Sequence, residues 1–167
     1  MKTFRLILEA VLGLISVLLI VALTALVLVA VLYRELGSAF AWYDEVATVM
    51  LAWLTYFGAA YAALKRGHLG SPDLLMRLRP GLRLPLFLLG ETMVIAFFAL
   101  LAWVGLEVVI LLAGDGLVSL PWVSVQFTQA IIPLGAALFI VCQLLTIREE
   151  WENLKRLDDP AMVRENI

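Results

Sequence analysis

Two carboxylates interrupt the apolar stretch "LPLFLLGETMVIAFFALLAWVGLEVVILLA", at Glu91 and Glu107, and they are the first residues to question for chemistry. An ionised carboxylate deep in hydrocarbon is costly, and it usually lines an ion path or pairs with something. The two lie 16 residues apart, about 24 Å along a helix at 1.5 Å per residue, so each falls near an opposite membrane surface. Snorkelling towards water accounts for both, with contacts to a partner subunit and proton coupling as the alternatives. The other chemistry-bearing types are sparse. His68 is the single histidine and Cys142 the single cysteine, so disulfides, thiolate clusters, zinc sites of three or four donors and facing haem ligands are excluded. No serine and histidine meet at membrane depth, so a nucleophile with its base is missing; the chain is read as a non-enzyme with no cofactor. Pro133 and Gly135 could mark an unwound substrate site, but no matching break exists elsewhere and a simple kink is the economical reading. Gln126, Thr128 and Gln129 cluster just before them, where headgroups or water can satisfy them.

A second pattern runs through residues 42–70, "WYDEVATVMLAWLTYFGAAYAALKRGHLG". The acids Asp44 and Glu45 suit the positive N-terminal end of a helix and form an acidic rim beside Trp42, where a soluble partner or Arg34 can meet them. Lys65, Arg66 and His68 close the segment and suit the headgroups of the opposite surface. Between the two ends, Gly58 with Ala62 and Ala59 with Ala63 give the small-xxx-small spacing that lets a second helix approach closely. Spacing alone leaves open whether that helix belongs to this chain or to another protein.

These residues need elements to position them, and composition fixes which kind. With 63% of its 167 residues hydrophobic and 16% charged, the chain carries more apolar surface than a soluble domain of this size can bury. A hydrocarbon core about 30 Å thick takes roughly 20 apolar residues of helix, because lipid cannot hydrogen-bond an exposed backbone. Four segments qualify, at about 10–33, 46–64, 85–113 and 123–147. The first follows Lys2 and Arg5 like a secretory signal, but its apolar run is too long for one and reads as an uncleaved anchor. Of the 12 basic residues, eleven fall before the first span, between the second and third, or after the fourth, and only Arg34 falls on the other side. That asymmetry places both termini and the middle loop in the cytoplasm. Tyr33, Trp42, Tyr43 and Trp122 then lie at outer ends and Trp151 just beyond an inner one, as interfacial aromatics do. Basic residues that flank spans rather than forming one face give no reason to expect a nucleic-acid partner.

In the middle loop, Ser71, Pro72 and Asp73 suit the start of a short helix that Pro80 and Gly81 end. Leu74, Leu75 and Leu78 would face acyl chains with Arg77 and Arg79 at the headgroups, an interfacial helix whose alternative is an irregular basic loop. The tail, 148–167, reads as a mixed-charge helix continuing into the cytoplasm and ending near Pro160. The expectation is therefore an all-α integral membrane protein, 1–167 forming one four-span domain with N-in, C-in topology.

The order Arg34, Trp42-x-x-Glu45, Trp53, the Gly58-Ala-Ala run and Arg66-Gly67-His68, followed by "LPWVSVQFTQAIIPLGAAL" at 120–138, resembles the small membrane subunit (DctQ-type) of tripartite ATP-independent periplasmic (TRAP) transporters. Two positions depart from that pattern: Thr48 stands where many members carry a basic residue, and Pro72 where an acid is common, with Asp73 following. The resemblance implies a non-catalytic subunit of a bacterial inner membrane. It would brace a large sodium-coupled membrane subunit and help dock a periplasmic substrate-binding protein for uptake of an organic acid anion, a carboxylate or sulfonate. On that reading Arg34, Trp42, Asp44 and Glu45 form the periplasmic docking rim. Trp53, Gly58, Ala59 and Ala62 pack against the large subunit, and Lys65, Arg66 and His68 meet the cytoplasmic interface. The competing reading is a self-sufficient small exporter or channel, oligomeric and dependent on Glu91 and Glu107.

Overall fold

The computed structural model describes residues 2–38, 40–65 and 80–157. Within these the chain is helical: α1 (Lys2–Glu35), α2 (Tyr43–Leu64), α3 (Pro80–Leu111), the short α4 (Val125–Gln129) and α5 (Ile131–Leu157). Among the described residues four helices are long and apolar enough to cross a membrane, α4 and the first part of α5 together forming the fourth. The expected interfacial helix, Arg66 and His68 lie outside the described residues. We call the end carrying Arg5 and Lys65 the basic end and the opposite one the far end.

The helices overrun the expected spans for physical reasons. α1 starts at Lys2, because charged residues outside hydrocarbon remain good helix formers. It closes with a left-handed Gly37 (φ 79°), whose N–H bonds the Arg34 carbonyl while Ser38 N–H reaches back to Tyr33. That is the Schellman arrangement, in which glycine escapes the steric penalty of positive φ. α3 begins at Pro80 rather than after it; proline at a first helical position gives up only an amide that would be unpaired anyway. Pro85, expected to open the span, sits in the second turn of this helix.

Side-chain packing runs mainly in a line, α1 on α2, α2 on α5, α5 on α3. The core forms at the seams: Leu12 of α1, Ala60, Ala63 and Leu64 of α2, and Phe139 and Cys142 of α5 are all buried together. Phe98 of α3 closes the cluster by stacking on Phe139, ring centroids 3.6 Å apart. Each seam carries a glycine where backbones come close. A Cβ at Gly135 would lie 2.5 Å from Tyr56 Cβ, and one at Gly105 would lie 2.6 Å from Ile132 Cγ2. The outward faces of α1 and α3 remain apolar and exposed, through Leu14, Leu18 and Leu28 on one and Met93, Leu100 and Trp103 on the other.

The helical assignment of span four lapses at Ala130, whose φ of −58° and ψ of −20° remain helical. Proline lacks the N–H that would take the Gln129 carbonyl, so the ladder fails one turn before the ring itself. Gly135 has the separate task of admitting Tyr56.

The seams predict a contrast between two glycines. Gly135→Ala should destabilise the bundle by about 1–3 kcal/mol through overpacking, read as a lower Tm in detergent. Gly58→Ala, whose Cβ would meet nothing within 4 Å, should leave Tm unchanged or raise it, the helix gaining up to about 1 kcal/mol from lost glycine entropy.

Candidate functional site

At the far end, Glu45 is held by a loop more than seventy residues away in sequence. Its Oε1 accepts the Val118 N–H at 2.9 Å and its Oε2 the Ser119 N–H at 2.8 Å. The Ser119 hydroxyl adds a long contact of 3.4 Å to the Ala41 carbonyl. The loop is itself tightly folded. Leu117 N–H bonds the Val123 carbonyl, Val125 N–H bonds that of Asp115, and Gly116 bridges to Ser124. Gly116 has to be glycine, since a Cβ there would overlap the Pro121 carbonyl oxygen. The carboxylate therefore fixes a platform that exposes Val118 (92%) and Trp122 (80%).

The rim residues expected from sequence are only partly brought together. Asp44 is exposed in the first turn of α2, and its backbone carbonyl accepts the Thr48 hydroxyl at 2.8 Å. The Trp42 ring lies tilted against Phe40, which in turn meets Tyr33, centroids 5.5 and 4.6 Å apart. Arg34 is exposed in the last turn of α1. Among the described residues no ion pair joins it to Glu45, whose two oxygens are turned to backbone amides.

Along α2, the small-residue face divides. Ala63 is buried and Ala59 partly buried in the chain's own core, Ala62 is half-buried, and Gly58 faces open space. Trp53 also turns inward: its indole N–H donates to the Thr128 carbonyl at 3.1 Å, and its ring lies 5.3 Å from Phe127. Within this chain Ala59 packs beside the core, and Trp53 supplies a donor to a carbonyl that the gap in the helical ladder before Pro133 leaves open. Trp53, Phe57, Phe127 and Leu134 line an apolar cleft of about 390 Å³ beside this contact.

Two members of the polar cluster at 126–129, Gln126 and Thr128, bond within the chain. Gln126 Nε2 donates to the Val109 carbonyl at 3.1 Å, taking up one of the unpaired carbonyls in the last turn of α3. Thr128 donates to the Val125 carbonyl at 2.9 Å.

The two intramembrane acids part company. Glu107 is exposed near the end of α3 and accepts the Trp103 indole N–H at 3.0 Å, as a snorkelling side chain would. Glu91 is 8% exposed and accepts the Gln143 side-chain amide at 2.7 Å across the α3–α5 seam. The snorkelling reading of Glu91 is therefore corrected: a donor within the chain meets it, where water was expected. The Gln143 carbonyl oxygen is buried without a partner among the described residues. Gln143 escaped sequence reasoning because a lone amide in "ALFIVCQLLTI" carries no motif; its position within an apolar run was the one available signal.

At the basic end, Arg5 donates to the Leu64 carbonyl at 3.1 Å, a cation on the C-terminus of α2, where orphan carbonyls and the helix dipole favour one. Lys65 pairs with Glu9 of α1 and lies 5.8 Å over the Tyr61 ring. The hydrogen bond to the Glu9 carboxylate holds the Lys65 ammonium above its ordinary range, with the carboxylate's charge acting in the same direction. Lys65 thus binds α1 to α2, in addition to any headgroup it meets. No motif around Glu9 marks it in the sequence as the partner of Lys65.

The geometry defines a helical membrane protein in which Trp53, Gln126, and Gln143 with Glu91 join its own helices. Compared with known families, residues 23–153 match the family described as tripartite ATP-independent periplasmic transporters, DctQ component. The match spans most of the chain, which belongs to that family and is a small membrane component of a TRAP transporter. No curated protein matches the chain.

The Glu91 contact predicts a graded mutational response. Glu91→Ala leaves the buried Gln143 amide unpaired and should cost about 1–3 kcal/mol, read as a lower Tm in detergent. Glu91→Gln keeps an acceptor and should retain most of the stability.

Proposed function

We propose that this chain is the non-catalytic brace of its transporter: it holds a large sodium-coupled membrane subunit and helps receive a periplasmic substrate-binding protein during uptake of an organic acid anion, a carboxylate or sulfonate. The observation that carries the reading is where the intramembrane polar groups are directed. Trp53, Gln126 and Glu91 with Gln143 each connect one helix to another, while the free faces of α1 and α3 are predominantly apolar, with Glu107 exposed near the far end of α3. A protein that conducts a solute by itself needs polar groups turned to a path; one that braces a neighbour needs rigidity and apolar area. The family supplies the neighbour, since a DctQ component is one part of a tripartite system.

Orientation follows from charge. Eleven of 12 basic residues flank the basic end in sequence, so that end is placed in the cytoplasm of a bacterial inner membrane, with both termini inside. The far end is then periplasmic, and Asp44, Arg34 and Trp42 with the Val118–Trp122 platform form the docking rim. Glu45 serves that rim indirectly, by holding the platform.

Two readouts test this. Gentle solubilisation should co-purify the chain with one large multi-span protein, and recovery of the chain alone counts against the brace. With that complex in hand, Asp44→Lys should weaken binding of the soluble partner with the loop amides at 118 and 119 still protected from hydrogen exchange. Glu45→Lys should weaken binding and release those amides together. Unchanged binding in both variants removes the docking role.

A further inference from the structure

The far end carries a small apolar platform, Val118 and Trp122, on a loop that Glu45 holds in place through the amides of residues 118 and 119. We propose that this platform docks its soluble partner through a face of that partner that is basic around an apolar patch. The proposal rests on the docking role given above and adds to it the chemistry of the partner's surface.

Charge selects that surface. Residues 34–45 and 111–125 hold four carboxylates, Glu35, Asp44, Glu45 and Asp115, and one cation, Arg34. Glu45 is spent on the loop amides. The other three are exposed, and among the described residues their side chains take part in no hydrogen bond or ion pair. They come from three elements: Glu35 ends α1, Asp44 lies in the first turn of α2, and Asp115 belongs to the platform loop, its backbone carbonyl accepting the Val125 N–H. The Tyr33, Phe40 and Trp42 rings bring the end of α1 to the start of α2, so the free acids share one end with the platform. Orientation in the membrane accounts for the scarcity of cations here, but acids contribute little to orientation and are left for another role. The bilayer surface is the competing occupant, since aromatic rings favour that depth. Anionic headgroups draw basic flanks and repel acidic ones, so flanks of this sign oppose it. They suit a basic protein face: free acids steer the encounter, and Trp122, once covered, supplies contact of the kind that dominates binding energy. The hold of Glu45 fixes the platform before the partner arrives, which lowers the ordering cost of docking.

The test measures association and dissociation rates of the soluble component on the complex of this chain with its large subunit, held in nanodiscs of zwitterionic lipid. Potassium chloride is raised from about 0.01 M to about 1 M at constant sodium, which shortens the screening length from about 30 Å to about 3 Å. The association rate should fall at least about tenfold while the dissociation rate changes little. Glu35→Gln, Asp44→Asn and Asp115→Asn combined should lower the low-salt association rate severalfold and flatten its salt dependence, with the 118 and 119 amides still protected from hydrogen exchange. Trp122→Ala should speed dissociation severalfold and keep the salt dependence. Binding that is indifferent to salt or to the triple variant overturns the basic face and leaves the docking role standing, and association that quickens with salt does the same. A Trp122→Ala variant that dissociates no faster assigns the platform to the bilayer surface and overturns its part in docking. Absence of binding at every salt concentration overturns both the proposal and the docking role.

Discussion

Hydrocarbon donates and accepts no hydrogen bonds, and this one constraint organises the molecule. It makes the backbone helical, and it drives polar side chains within a span to find a partner in the protein or reach the surface, the Ser16 hydroxyl and the Gln143 carbonyl oxygen being buried exceptions among the described residues. The Trp53 indole takes a carbonyl left by the break in span four, Gln126 takes one from the last turn of α3, and Gln143 meets Glu91. Each contact ties two helices that apolar packing alone would leave free to slide, because lipid competes with leucine for the same contacts. Polar groups here act as pins.

The pins are placed where the row of helices needs them. At the basic end, Arg5 and Lys65 fasten α1 to the C-terminus of α2. In the interior, the glycines at 105 and 135 bring α3 and α2 close to α5, and Phe98 stacks on Phe139 at the same seam. At the far end, Glu45 reaches from the start of α2 to the loop between α3 and α4 and sets its exposed tip. A line of helices pinned in this way keeps broad apolar sides, which suits the bracing role proposed above.

Much of this was legible in the sequence, for reasons that separate local from distant causes. Span number and approximate limits follow from apolar run length, a property of consecutive residues. The acids at the start of α2 follow from helix polarity, again local. What was illegible depends on partners far along the chain. The target of Glu45 is a pair of amides at 118 and 119, and nothing near Glu45 announces them. Gln143 is one amide in an apolar run, meaningful only once Glu91 faces it. The lapse at Ala130 lies one turn before Pro133, because proline disturbs the carbonyl upstream of itself. Gly58 and Ala59 shared one motif, yet the fold sends one to an open groove and the other to the core.

The central claim is that these polar contacts hold a scaffold together and line no route for solute. Flux measured in proteoliposomes addresses it most directly, with a panel of labelled carboxylates and sulfonates under an inward sodium gradient. The account predicts no flux above protein-free vesicles for this chain alone, and uptake once the large subunit and the soluble binding protein are added. Sodium-driven uptake by this chain in the absence of both would contradict it.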